Sequence, residues 1–207
     1  MRDRSNSFHF IIRFWLVCCF FGIMCNECLA QLTQLTATEQ LIRNEVIRLG
    51  GDWESGTKPQ LVAFVGDRFD SEHFELLTHL PDLRWLAVTD CDIDCFGLSC
   101  ISQLARLERI DLTRCRLDLK CFGLLKRNRS LREIYLHSVE MDAISMAQLA
   151  TLHHVEILMM TDLNVNEKMI NELLKMKQLK KCMLVDSDGY SMPLEKQLLN
   201  GLPNLER

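Results

Sequence analysis

From residue 31 onward the chain has no CxxC pair, no glycine-rich phosphate loop and no nucleophile in a recognisable elbow. Those absences remove the usual sequence routes to a tetrahedral zinc site, a bound nucleotide and an acyl-enzyme. A basic surplus is missing as well. Lysine and arginine number 24 against 28 acids, for a net charge of −4 and no basic stripe, which excludes nucleic acid as a partner. Two acidic runs invite a calcium reading and fail it. In "DCDIDC" Asp90, Asp92 and Asp94 alternate, but Cys95 and Ile101 stand where the EF-hand loop needs Gly and Glu; "DSDG" at 186–189 fails likewise. Both are expected to be solvated turn acids. His153-His154 has neither helical spacing nor a third ligand. No catalytic residue, cofactor or metal is therefore expected, and an enzyme is unsupported.

What is present begins with the leader. Arg2, Arg4 and Arg13 precede an apolar run from Phe14 to Cys25, with a small-residue exit at Cys28-Leu29-Ala30. A basic lead, a short apolar run and such an exit describe a secretory signal peptide over residues 1–30, so the protein is expected to be exported, periplasmic or extracellular. If the leader stays uncleaved, residues 8–25 become a membrane anchor. That is the only membrane contact expected. Without residues 1–30, which hold three arginines and two acids, 21 basic and 26 acidic side chains remain.

A period then takes over. Leu83, Leu107, Leu131, Val155 and Leu179 stand 24 residues apart, and Leu86, Ile110, Ile134, Leu158 and Cys182 follow three positions later in each unit. Val88, Leu112, Leu136, Met160 and Leu184 continue the series, and Leu98, Phe122, Met146, Ile170 and Leu194 mark the second half of each unit. A fixed period of this length is the mark of a solenoid. The first half of each unit alternates apolar and polar positions, as a short strand does. The second spaces apolar residues by three, as a helix or helical turn does. Strands stack about 4.8 Å apart and helices about 8–10 Å apart, so the stack must curve with its strands inside.

"LRWLAVTDCDI" at 83–93 and "LERIDLTRCRL" at 107–117 match the pattern LxxLxLxxN/CxL. The chain thus resembles the leucine-rich repeat family in its cysteine-containing type, and is similar to short exported bacterial leucine-rich repeat proteins. The resemblance implies an α/β solenoid with a curved parallel β-sheet on the concave face and helices on the convex face. It covers residues 59–204 as six units of about 24 residues, the last stretched to 26, with 205–207 as the stub of a further one. It also implies that Cys91 and Cys115 are structural thiols, turned inward to donate to carbonyls left open where each strand ends. Val139, Leu163 and Ser187 replace that cysteine in later units. Before the repeats, residues 31–58 are expected to supply a capping helix and hairpin. Thr36 and Glu39 pair as a capping box, Ile42, Val46 and Leu49 form the buried stripe, and Gly50-Gly51 stop the helix.

Residues 31–207 hold six cysteines: 91, 95, 100, 115, 121 and 182. An even count in an exported chain invites disulfides. The register argues against the pairing of adjacent rungs, because side chains at Cys91 and Cys115 point in parallel. All six are expected to stay reduced. Asn128-Arg129-Ser130 is a glycosylation sequon, with meaning only in a eukaryotic secretory pathway.

The strand positions that point away from the core carry Trp85, Tyr135, Ile157, Met159, Met183 and Val185. Apolar side chains gathered on a wet face suggest a surface for a protein or peptide ligand. The expected function is a non-enzymatic binding module outside the cytoplasm. One alternative is a structural protein whose uncapped C-terminal edge pairs with a second copy, in place of a monomer. The other is an intracellular ubiquitin-ligase substrate adaptor, which requires residues 1–30 to be no signal.

Overall fold

The computed structural model describes residues 36–53, 60–66, 73–186 and 192–205. The expected signal peptide lies outside them. Helix α1 (Ala37–Arg48) starts at Thr36, whose hydroxyl accepts the Glu39 amide at 3.2 Å while the Glu39 carboxylate accepts the Thr36 amide at 2.7 Å. Its stripe of Ile42 and Val46, with Leu49 just past its end, joins the core. Strand β1 (Asp52–Trp53) runs antiparallel to β2 (Leu61–Val65), pairing Trp53 with Val62.

From β2 onward every neighbour is parallel. Strands β3 (Trp85–Thr89), β5 (Arg109–Thr113), β7 (Glu133–His137), β8 (Ile157–Leu163) and β9 (Lys181–Asp186) complete a sheet of seven strands in the order β1-β2-β3-β5-β7-β8-β9. The register sets each residue against the one 24 positions on: Leu86 on Ile110, Ile110 on Ile134, Ile134 on Leu158. Two short segments, β4 (Asp92–Ile93) and β6 (Arg116–Leu117), pair separately just past the main sheet.

Each strand hands over to a helical segment on the far side. These are α2 (His73–Leu77), α3 (Cys95–Ser102), a 3₁₀ helix (Leu119–Arg127), α4 (Ala143–Ala150), α5 (Glu167–Leu173) and α6 (Met192–Gly201). Short polar caps start them: the Asp94 carboxylate accepts the Gly97 amide at 2.9 Å, Asp142 the Ser145 amide at 2.7 Å, and Asn166 the Met169 amide at 3.1 Å. The 3₁₀ segment suits its sequence. Phe122 and Leu125 are three apart, as its period requires, and both are fully buried. Gly123 allows the next helix to approach, since a β-carbon there would strike the Gln148 side chain. One continuous core fills the space between sheet and helices. The leucine series from Leu83 to Leu179 is within 1% of full burial throughout. The result is a leucine-rich repeat solenoid of the α/β class.

One position recurs with a backbone demand. Asp90, Arg114, Ser138 and Asp162, spaced by 24, adopt φ of 57°, 49°, 50° and 60°, and Gly66 in the unit before has φ 107°. In the first four units this left-handed residue bends the chain out of the strand while keeping one more rung bond; Asp162 instead sits inside β8, where the register shifts between Thr161 and Leu163. The amides of Gly66, Asp90, Arg114 and Ser138 donate to Thr89, Thr113, His137 and Thr161 at 2.8–3.0 Å. A side chain in that region costs about 1–2 kcal/mol. Replacing Ser138 by Ala and by Gly removes the same hydroxyl in both cases. The Gly variant is expected to be the more stable by about 1 kcal/mol, the reverse of the usual order, in urea unfolding followed by circular dichroism.

Candidate functional site

The outward positions of the strands form a grid of three rows. The first runs Leu61, Trp85, Arg109, Glu133, Ile157, Lys181; the second Ala63, Ala87, Asp111, Tyr135, Met159, Met183; the third Val65, Thr89, Thr113, His137, Thr161, Val185. Alternation along a strand puts residues i and i+2 on one face, which is how Arg109 reaches Asp111 with Nε at 2.7 Å and Nη2 at 2.8 Å. The same guanidinium lies 4.1 Å from the Trp85 ring centre and 3.9 Å from that of Tyr135. Arg109 is therefore held between two aromatic rings from its neighbouring rungs, an arrangement worth about 0.5–2 kcal/mol per ring depending on desolvation. Tyr135 in turn donates to Glu133 at 3.2 Å. The Asp111 carboxylate holds the Arg109 pKa above the usual arginine value, and burial pushes the Tyr135 phenol up.

Tyr135, Met159 and Met183 follow one another across three rungs in direct register, with Ile157 and Val185 beside them. Met183 is 43% exposed and the other four are half-buried. Trp85 stands apart from this group and is joined to it through Arg109. Sequence reasoning missed that arginine because it sought apolar residues alone. An arginine at 109 with aromatics at 85 and 135, all on outward positions of consecutive strands, was the available signal. Val65, on the first unit's strand, is also on this face and 59% exposed.

At the strand ends lie two thiols. Cys91 donates to Gly66 O at 3.2 Å and Thr89 O at 3.3 Å, and Cys115 to Val88 O and Thr113 O, both at 3.4 Å. Burial raises the Cys115 pKa, and the Cys182 thiol is pushed up to about 12 for the same reason. The expectation of six reduced cysteines is overturned. Cys95 and Cys121 form a disulfide with a Cα–Cα separation of 5.2 Å, leaving 91, 100, 115 and 182 as thiols. The reason is their offset of 26 residues, two more than the period. Equivalent positions point in parallel, whereas a shift of two around a helical turn aims the side chains of adjacent rungs at each other.

The acids of "DCDIDC" are consumed locally. Asp90 receives both Arg114 donors at 2.7 and 2.8 Å, Asp92 is paired with Arg116, and Asp94 caps α3. The first two carboxyls are accordingly held below the ordinary carboxylate range by their arginines. The sequon is occupied too. The Asn128 amide is 3% exposed, donates to Leu104 O at 2.8 Å and accepts from the Ser130 and Leu131 amides, so a glycan there would break the turn it builds. Burial and the nearby Arg132 and Arg129 lower the His154 pKa, which favours the neutral imidazole. A recess of about 460 Å³ opens between the turns at 138–141 and 162–164, lined by Ser138, Glu140, Met141, Asp162 and Asn164 among others. It coincides with the units in which Val139 and Leu163 replace the cysteine.

No family model matches the chain, and no curated protein matches it. Among solved structures, internalin C2 from Listeria monocytogenes is similar, at 16% identity and a TM-score of 0.44 over 71% of this chain and 69% of that one. A second internalin from the same organism gives 15% and 0.39 over 64% of this chain and 42% of its own length. The repeat assignment stands on the 24-residue strand register itself. No helix among the described residues is long and apolar enough to cross a membrane.

Two outcomes follow from the thiols. Alkylation of residues 31–207, denatured without reductant, is expected to count four thiols, rising to six after reduction. At Cys115, Ala is expected to cost about 1–3 kcal/mol in urea unfolding, through the lost donor and a small cavity. Ser is also destabilising, and Asn, the residue that the resembled family uses there, the least so.

Proposed function

We propose that the chain is a non-enzymatic recognition module that binds a protein or peptide on its strand face, outside the cytoplasm. The observation that carries this reading is the run Tyr135–Met159–Met183, three adaptable or aromatic side chains set in line by the sheet and left partly wet. Methionine and tyrosine suit an interface, the first by fitting irregular surfaces and the second by pairing a large apolar ring with a polar tip. The Trp85–Arg109–Tyr135 stack supports the same reading, since its side chains are already fixed and lose little freedom when a ligand arrives. Ile157 and Val185 widen the apolar part, and Trp85 ends the stacked part. Export rests on the leader at residues 1–30, and N-terminal sequencing of the protein recovered from its host decides it.

A second reading, self-association through the C-terminal edge, is favoured by one observation: β9 pairs with β8 on one side and has no strand on its other among the described residues. Light scattering that shows a monomer at all concentrations removes it.

For the first reading, the partner captured by the wild-type chain is compared with that captured by the Met159→Glu, Met183→Glu double variant. Each buried methionine contributes about 1.5–3 kcal/mol, so a loss of tenfold or more in affinity is expected, with an unchanged circular dichroism spectrum. Retained binding places the site on another face.

A further inference from the structure

Cys95 opens helix α3 and Cys121 lies in the 3₁₀ helix of the next rung. Between them stands Asp118, which caps that 3₁₀ helix with one oxygen: Oδ1 accepts the Lys120 amide at 3.2 Å. Its other oxygen, Oδ2, is 3.2 Å from Cys95 Sγ. In the disulfide neither sulfur carries a hydrogen, so this approach is no hydrogen bond, and a carboxylate gains nothing from facing a sulfur lone pair. Among the described residues no ion pair is formed by Asp118. The cap accounts for Oδ1; Oδ2 faces a sulfur that could donate to it as a thiol, or share a cation with it. The two sulfurs and a carboxylate oxygen lie within 4.8 Å of one another. Both cysteines are half-buried and Asp118 is exposed, so an ion has a route in from solvent.

We propose that Cys95, Asp118 and Cys121 form a redox-gated site for a thiophilic divalent cation of the zinc class, closed by the disulfide and opened by its reduction. A dithiol reductant supplies the two electrons. One of its thiolates attacks a sulfur of the pair, the second resolves the mixed disulfide, and the reductant leaves oxidised while Cys95 and Cys121 each take a proton. The cation then displaces those two protons and is held by two thiolates and the Asp118 carboxylate. Zinc–sulfur bonds of about 2.3 Å at tetrahedral angles set the sulfurs about 3.8 Å apart, so both side chains must turn away from each other, on Cα atoms 5.2 Å apart, for the ion to enter. The soft donors select zinc or cadmium over calcium or magnesium. Three protein ligands leave the fourth position, on the solvent side, to water. No short motif along the sequence marks the site, because its sulfurs come from two rungs and the stacking of those rungs brings them together.

The test uses residues 31–207 in oxidised form and after reduction by a phosphine, titrated with cadmium and read by thiolate-to-metal absorption, with zinc affinity from competition against a chromophoric chelator. The reduced chain is expected to take one cadmium and the oxidised chain none. Asp118→Asn is expected to weaken zinc binding tenfold or more, and Asp118→Glu to restore part of it. The Cys95→Ser, Cys121→Ser double variant, checked for an unchanged circular dichroism spectrum, is expected to lose the absorption. The proposal is overturned if that double variant binds cadmium as the reduced wild type does, or if Asp118→Asn leaves zinc affinity unchanged.

Discussion

The strands of this sheet stand about 4.8 Å apart, and that spacing makes each residue the neighbour of the one 24 positions away. Everything else is arranged within that constraint. Ion pairs follow it: Asp82 with Arg106, Arg84 with Glu108, Asp90 with Arg114, Asp92 with Arg116, and Glu156 with Lys180 each span one period. These pairs are exposed and each is worth little to stability. Their effect is to favour one register over slipped ones, since a shift by one residue would break them and turn every buried leucine outward.

The same constraint builds the candidate face. A partner meeting it encounters two regions of different character: a rigid polar stack around Arg109 and a softer apolar run toward Met183. Neither could be made by one repeat. The guanidinium needs a ring on the rung before and a ring on the rung after, and the apolar run needs three successive strands. Recognition of this kind is a property of neighbouring units, so a module can change its ligand by altering outward positions while its core stays fixed.

The leucine positions and the alternation of each strand were legible in the sequence because each is stated several times over at one spacing; the inward thiols at 91 and 115 came from the family resemblance. What no repeated side chain marks was not legible. The left-handed residue at 90, 114, 138 and 162 is Asp, Arg, Ser and Asp, with no common side chain, because the requirement falls on the backbone. The Cys95–Cys121 bridge departs from the period by two residues, so a reading tuned to the period passed over it. Arg109 was visible as a charge and invisible as the centre of a stack, since that role depends on ring planes that only folded coordinates supply. The six residues expected on the binding face all lie on the sheet's outward side, but as a run of five and a separate tryptophan.

The disulfide joins the second and third rungs and no others. In a solenoid each unit is held chiefly by its two neighbours, so heat or mechanical pull removes units from the ends inward, and the chain can lose them a few at a time. A covalent tie between two rungs makes them leave together. The terminal units can then fray while the linked pair, with α3 and the 3₁₀ helix above it, persists as the last folded block and the first template on which the others reassemble.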